Sequence, residues 1–165
     1  DPVIFLEHKV MYDIACEVPD EQYAIPFGEA AFPRQGSDVT IVAISNMVTH
    51  AITVADILAK EGISCDVIDP RTVSPLDHEA ILESVEVTGR LVIIDEGNPR
   101  CGLATDIAGI VAEHGFYSLK APIRTVTAPH TPVPFAPELE DAYLPNAEKL
   151  MVAVREVLAA GPSGA

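Results

Sequence analysis

The stretch Val39-Thr40-Ile41-Val42-Ala43-Ile44 decides the fold. It has the length of a strand, and its apolar and β-branched residues run on without alternating with polar ones, as in a strand covered on both faces. Ser45-Asn46 follow with side chains suited to capping a helix. Val48, Ala51, Ile52, Ala55, Leu58 and Ala59 then recur at helical spacing, and Gly62 stands where a left-handed stop belongs. The same order is predicted twice more. Ile63 to Ile68 reads as a second strand, followed by a helix capped by Asp77, carrying Ile81, Leu82 and Val85 and closing at Gly89. Leu91 to Ile94 reads as a third strand, and a third helix after Gly102 presents Ala104, Ile107, Ala108 and Val111 before ending at His114-Gly115. Pro122 to Val126 completes the strands, and Asn146 to Leu158 is an amphipathic final helix.

Alternating β and α elements with continuous apolar strands predict an α/β fold of three layers, a mostly parallel sheet with helices on both faces. Outward from that centre the pattern loosens. Residues 1–36 are predicted to be an N-terminal strand, Val3 to Leu6, and a connecting arm interrupted by Pro19, Pro26 and Pro33. Residues 37–160 form the predicted domain, with Pro129, Pro132, Pro134 and Pro137 in a surface stretch before the last helix, and residues 161–165 a disordered tail. Asp1-Pro2 leads straight into Val3-Ile4-Phe5-Leu6 without an initiator methionine, so the chain is expected to be part of something longer.

The chain has 165 residues, enough for one domain with a substantial core. Its 10 Lys+Arg against 25 Asp+Glu give a net charge of −15, which repels phosphate backbones and anionic lipid, so neither nucleic acid nor membrane is an expected partner. No apolar run approaches the length of a membrane span. Cys16, Cys65 and Cys101 are odd in number and widely spaced, which suits neither a disulfide framework nor a zinc site and predicts a reducing, cytoplasmic location.

Few residues offer chemistry. Gly97-Asn98-Pro99-Arg100-Cys101-Gly102-Leu103-Ala104 imitates a phosphate loop in its glycine spacing, but Leu103 replaces the lysine and Ala104 the hydroxyl residue. It reads as a tight turn whose Gly102 allows close packing. No G-x-G-x-x-G follows a strand, and no Gly-Asp-Gly of the kind that holds magnesium and thiamine diphosphate occurs. His8, His50, His78, His114 and His130 lack the spacing of metal ligands. Cys101, beside Arg100 and without a nominated base, reads as a buried or half-buried thiol. Arg71 and Glu96 at strand ends, and His130 within Ala128-Pro129-His130-Thr131-Pro132, stand where this architecture places functional groups. Glu138, Glu140 and Asp141 read as a solvated face. One alternative is a free-standing module with a small-ligand pocket among Arg71, Glu96 and His130.

Four ordered motifs carry a resemblance. They are Glu7-His8-Lys9-Val10-Met11-Tyr12, Ile25-Pro26-Phe27-Gly28-Glu29-Ala30, Ile68-Asp69-Pro70-Arg71-Thr72-Val73-Ser74-Pro75-Leu76-Asp77 and Ala121-Pro122-Ile123-Arg124-Thr125-Val126-Thr127. From Asp1 to about Leu158 the chain resembles the transketolase-like C-terminal domain of the β subunit of thiamine-diphosphate-dependent 2-oxo acid dehydrogenases. Asn98-Pro99-Arg100-Cys101 and Pro129 to Phe135 look most like the acetoin dehydrogenase branch, with pyruvate and branched-chain members also similar.

The resemblance implies an α₂β₂ enzyme that cleaves a C–C bond through thiamine diphosphate and Mg²⁺ and passes an acyl group to a lipoyl acyltransferase. It implies an α subunit and a second β subunit as partners. It also implies that the diphosphate-binding motif lies on the α subunit and the activating Glu in the other half of β, so that no catalytic or cofactor residue is expected in this chain and the fragment alone is predicted inactive. Asp1 corresponds to the end of a loop that binds structural potassium in some members. Lys120 stands where the family carries an acid that helps dock the acyltransferase. The expected interface positions are Arg71, Glu96, Lys120 and His130.

Overall fold

A computed structural model describes residues 2–160. Asp1 and the predicted tail, residues 161–165, lie outside the described residues. In chain order the elements are β1 (Ala31–Arg34), β2 (Val39–Ala43), α1 (Met47–Ala59), β3 (Cys65–Asp69), α2 (His78–Thr88), β4 (Leu91–Asp95), α3 (Leu103–His114), β5 (Arg124–Thr127), α4 (Pro137–Tyr143) and α5 (Ala147–Ala159). Short 3₁₀ turns occupy Lys9–Asp13 and Phe116–Ser118.

The five strands are ordered β1-β3-β2-β4-β5, with β2, β3, β4 and β5 parallel and β1 antiparallel at one edge. Strand β2 is central and buried along its whole length, as its unbroken apolar run requires. Its side chains alternate between two cores. Val39, Ile41 and Ala43 face α1 and α5, packing with Met47, Leu58 and Leu150, while Val42 faces α2 and α3 with Ile81, Val85 and Ile107. The three-layer, mostly parallel sheet predicted from the sequence is the fold observed.

One polar chain threads the second core near the amino ends of the strands. The Ser84 hydroxyl donates to Asp66 Oδ2 at 2.5 Å, and the Thr40 hydroxyl lies 2.7 Å from both Ser84 Oγ and Thr88 Oγ1. Because the single Ser84 proton goes to the carboxylate, Thr40 donates to Ser84, while the Thr88 proton is shared between Thr40 and the Arg90 carbonyl oxygen 3.1 Å away. The Thr40 and Ser84 hydroxyls thus point one way, toward a buried acid, which polarises both bonds. Arg90 closes the same end, its guanidinium donating to the backbone oxygens of Val157 and Asp38 and so joining α5 to the start of β2.

The structure departs from expectation at five places. Val3 to Leu6 is not a strand but exposed coil, with no strand partner among the described residues. The edge strand is instead β1, inside the region read as arm. Pro33 weakened its signal, yet proline is tolerated on an edge strand, and the Arg34 guanidinium grips Asp56 of α1 with bonds of 2.7 and 3.0 Å. Asn46 makes no side-chain cap, because its own backbone is already helical, φ −57° and ψ −24°, where a capping residue is extended. The proline-rich stretch contains α4, begun by Pro137 in the first turn, where proline suits a helix. Cys101 is exposed, because its loop stands clear of the sheet. The caps at Asp77, accepting from the Ala80 N–H, and at left-handed Gly89, φ 72°, are as predicted.

Candidate functional site

The carboxyl ends of β2, β3, β4 and β5 open onto one edge, the usual ligand or partner side of an open α/β sheet. Strands β3 and β4 leave it by the same device. Asp69 accepts from the Arg71 N–H and Asp95 from the Gly97 N–H, each at 3.0 Å, bending the chain two residues after the carboxylate. Burial pushes the Asp69 carboxyl above its ordinary range, opposed by the Arg71 N–H bond and charge. The non-glycine residues with positive φ, Ser45, Arg71 and Cys101, all lie in loops on this edge. Such backbone costs roughly 1–3 kcal/mol per residue and concentrates where surroundings or partners fix it.

The four interface candidates divide between two ends of the sheet. Glu96, Arg71 and His130 stand on the carboxyl edge. Glu96 Oε2 lies 3.0 Å from His8 Nε2, a contact across 88 residues of sequence that spacing alone could not reveal. His130 Nδ1 lies 2.8 Å from Asn98 Oδ1, so the β4–α3 loop is held by residues from both the arm and the loop after β5. Arg71 is exposed, and among the described residues its side chain forms no ion pair with Glu96. Lys120 sits at the opposite end, where its backbone N–H donates to the Gly89 oxygen at 2.7 Å and its stem covers Gly89. The lysine therefore spans the turn before β4, with its charge in solvent.

The geometry gives little to a small ligand. A shallow groove is lined by Val73, Cys101, Gly102, Leu103, Thr105 and Asp106, and it includes none of Arg71, Glu96 and His130. Asp106 in the first turn of α3 opposes an anion there. A Cβ on Gly102 would overlap the Asn98 carbonyl oxygen, which is the close packing expected of this glycine. Among the described residues no three His, Cys, Asp or Glu side chains are grouped to hold a metal ion. Cys65 is buried, and desolvation, with the Asp38 charge second, pushes its thiol up to about 11, so it is no nucleophile.

What this side of the molecule does expose is apolar. Val3, Ile4, Phe5 and Leu6 in the arm are 61–86% exposed, and Phe135 in the loop after β5 is 99% exposed. Large apolar side chains exposed to this degree are candidates for contact with other protein.

Residues 28–150 match the sequence profile of the transketolase C-terminal domain. The chain belongs to that family. Within it, the chain is 54% identical over 161 residues to the β subunit of acetoin:2,6-dichlorophenolindophenol oxidoreductase from Cupriavidus necator, covering 98% of this chain and 48% of the relative. It is 52% identical over 158 residues to the Bacillus subtilis protein of the same name, covering 96% of this chain and 46% of the relative. The pyruvate dehydrogenase E1 component β subunit of Bacillus subtilis is 41% identical over 159 residues, covering 96% and 49%. The chain thus spans about half the length of these relatives. Among solved structures, a split-gene transketolase described as an inactive β4 tetramer superposes with a TM-score of 0.73 at 29% identity, covering 88% of this chain and 45% of that one. A Pichia stipitis transketolase, at 14% identity and a TM-score of 0.52 over 84% of this chain and 20% of that one, shares the fold. No helix among the described residues is long and apolar enough to cross a membrane.

Proposed function

We propose that the chain is the C-terminal assembly domain, residues 37–160 with the arm 1–36, of the β subunit of a thiamine-diphosphate-dependent acetoin or 2-oxo acid dehydrogenase. The observation that carries this reading is the exposed apolar arm and Phe135 together with a carboxyl edge on which Glu96 and His130 are already engaged by His8 and Asn98. A surface of that kind is built to be covered, not to hold a substrate. Identity above 50% to two acetoin oxidoreductase β subunits favours acetoin over pyruvate or branched 2-oxo acids.

In this reading the chemistry belongs to the complete α₂β₂ assembly. Thiamine diphosphate with Mg²⁺ would supply there the electron sink needed to cleave a C–C bond beside a carbonyl. The residues of this chain do not fit that group, since they lack both the diphosphate motif and a clustered metal-ligand set among the described residues. Their contribution is to order the subunits. Arg71, Glu96 and His130 lie on the face we assign to subunit contacts, and Lys120 lies at the far end, where an acyltransferase would meet a cation instead of an acid. The three free cysteines suit a reducing cytoplasm.

The test is to assay the complete α and β pair with acetoin, pyruvate and a branched 2-oxo acid, carrying Phe135→Glu in β. Acetoin turnover in the parent pair, lost together with assembly in the variant, is the expected result. Turnover by an unassembled variant pair would overturn the reading.

A further inference from the structure

We propose that the hydrogen bond between His130 and Asn98 is a clasp that sets how the proline-rich loop after β5 presents Phe135, so that both are positioning residues of the assembly surface. Asn98 is the fixed half. It stands in the β4–α3 loop, whose start is bent by the Gly97 N–H bond to Asp95 and whose end packs Gly102 against the Asn98 carbonyl oxygen. His130 is the half it holds. Residues 129–136 leave the core after buried Ala128 and stay exposed or half-buried as far as α4. Among the described residues, the one hydrogen bond made by their side chains runs from His130 Nδ1 to Asn98 Oδ1 at 2.8 Å. The carboxamide oxygen only accepts, so Nδ1 carries the proton.

The stiffness of the loop carries that constraint forward to Phe135. The Thr131 N–H donates to the Pro129 oxygen at 2.8 Å, a three-residue turn with His130 at its corner. Pro132 and Pro134 then lock φ at two of the four residues between His130 and Phe135. At the far end Lys149 Nζ donates to the Ala142 and Leu144 oxygens at 2.8 and 2.7 Å, tying α4 to α5, and the Tyr143 hydroxyl reaches back to the Thr131 oxygen at 3.4 Å. With both ends held and the span between them stiff, Phe135, 99% exposed, is set out in one arrangement before other protein meets it. Such preordering removes the entropy cost of arranging the loop on contact. The role given to Phe135 rests on the assembly reading, whereas the clasp is tested apart from it.

Chymotrypsin reads the clasp at the Phe135–Ala136 bond in the full-length β subunit without α, with products assigned by mass spectrometry and folding checked by far-UV circular dichroism. Asn98→Leu and His130→Ala are each expected to be cut about threefold to tenfold faster than the parent, the range for loss of one hydrogen bond between neutral groups. The double variant should be no faster than either single, since both remove the same bond, and Asn98→Asp, which keeps an acceptor, should stay near the parent. Hydrogen exchange at the Thr131 amide gives the same comparison where protease cuts a variant elsewhere first. Parent-like rates in both singles, or single effects that multiply in the double, would overturn the clasp. Sedimentation of the complete α and β pair then tests the positioning role, with association expected to weaken about threefold to tenfold in Asn98→Leu and to recover in Asn98→Asp. Association lost in Phe135→Glu but untouched by Asn98→Leu overturns that role alone; association untouched by both overturns the assembly reading with it.

Discussion

Replacing Ser84 by alanine probes the polar chain that fixes α2 against the sheet. Ser84 is 6% exposed, its hydroxyl donates to Asp66 at 2.5 Å, and Asp66 is itself 8% exposed. The variant removes a hydrogen bond to a buried carboxylate, worth about 1.5–3 kcal/mol, and leaves the Thr40 hydroxyl with Thr88 alone as a partner. We expect Ser84→Ala to cost about 2–3 kcal/mol, lowering the melting temperature by roughly 5–10 °C for a chain of this size. Urea titration followed by circular dichroism measures the loss. Adding Asp66→Asn should recover part of it, giving a coupling energy of at least about 1 kcal/mol, because an amide is less costly to leave unpaired than a carboxylate. A loss under about 0.5 kcal/mol, or additive effects, would refute the directed chain.

Three further outcomes follow from the geometry. A thiol reagent should modify exposed Cys16 and Cys101 within minutes and Cys65 only on unfolding, as peptide mapping would show; early labelling of Cys65 would contradict its burial. Gly36→Ala should destabilise by about 1–3 kcal/mol, since a Cβ there would stand 2.5 Å from the backbone of Ser64 and Cys65, and a thermal melt unchanged from the parent would count against that close approach. Asp38 accepts from the Ser64 backbone N–H and hydroxyl, with the Arg90 charge nearby, and its carboxyl is held below the ordinary range. Its contribution to stability is therefore present above the ordinary aspartate range and lost as pH falls through the lowered folded value, so the difference in stability between parent and Asp38→Asn should shrink on acidification.

Much of this fold was legible because its signals are local. The Val39–Ile44 run, the Asp77 cap and the Gly89 stop each state a backbone requirement within a few residues. Strand β1 was hidden because four residues containing a proline carry almost no periodic signal, and its place is set by Asp69 and Val67 far along the chain. The Val3–Leu6 run misled for the opposite reason, since apolar, β-branched sequence serves a covered surface as well as a strand. Arg71, Glu96 and His130 could be singled out because strand ends in this architecture gather functional groups. The pairing of His8 with Glu96 and of Asn98 with His130 could not be read, as it depends on how loops and arm settle on the finished sheet.

The claim that this chain assembles through its apolar face is tested most directly by sedimentation velocity. The account predicts that the chain, at micromolar concentration, sediments above the mass of its monomer, and that Phe5→Glu combined with Phe135→Glu returns it to the monomer with its circular dichroism unchanged. A parent chain that stays monomeric, or a doubly charged variant that associates as the parent does, would contradict it.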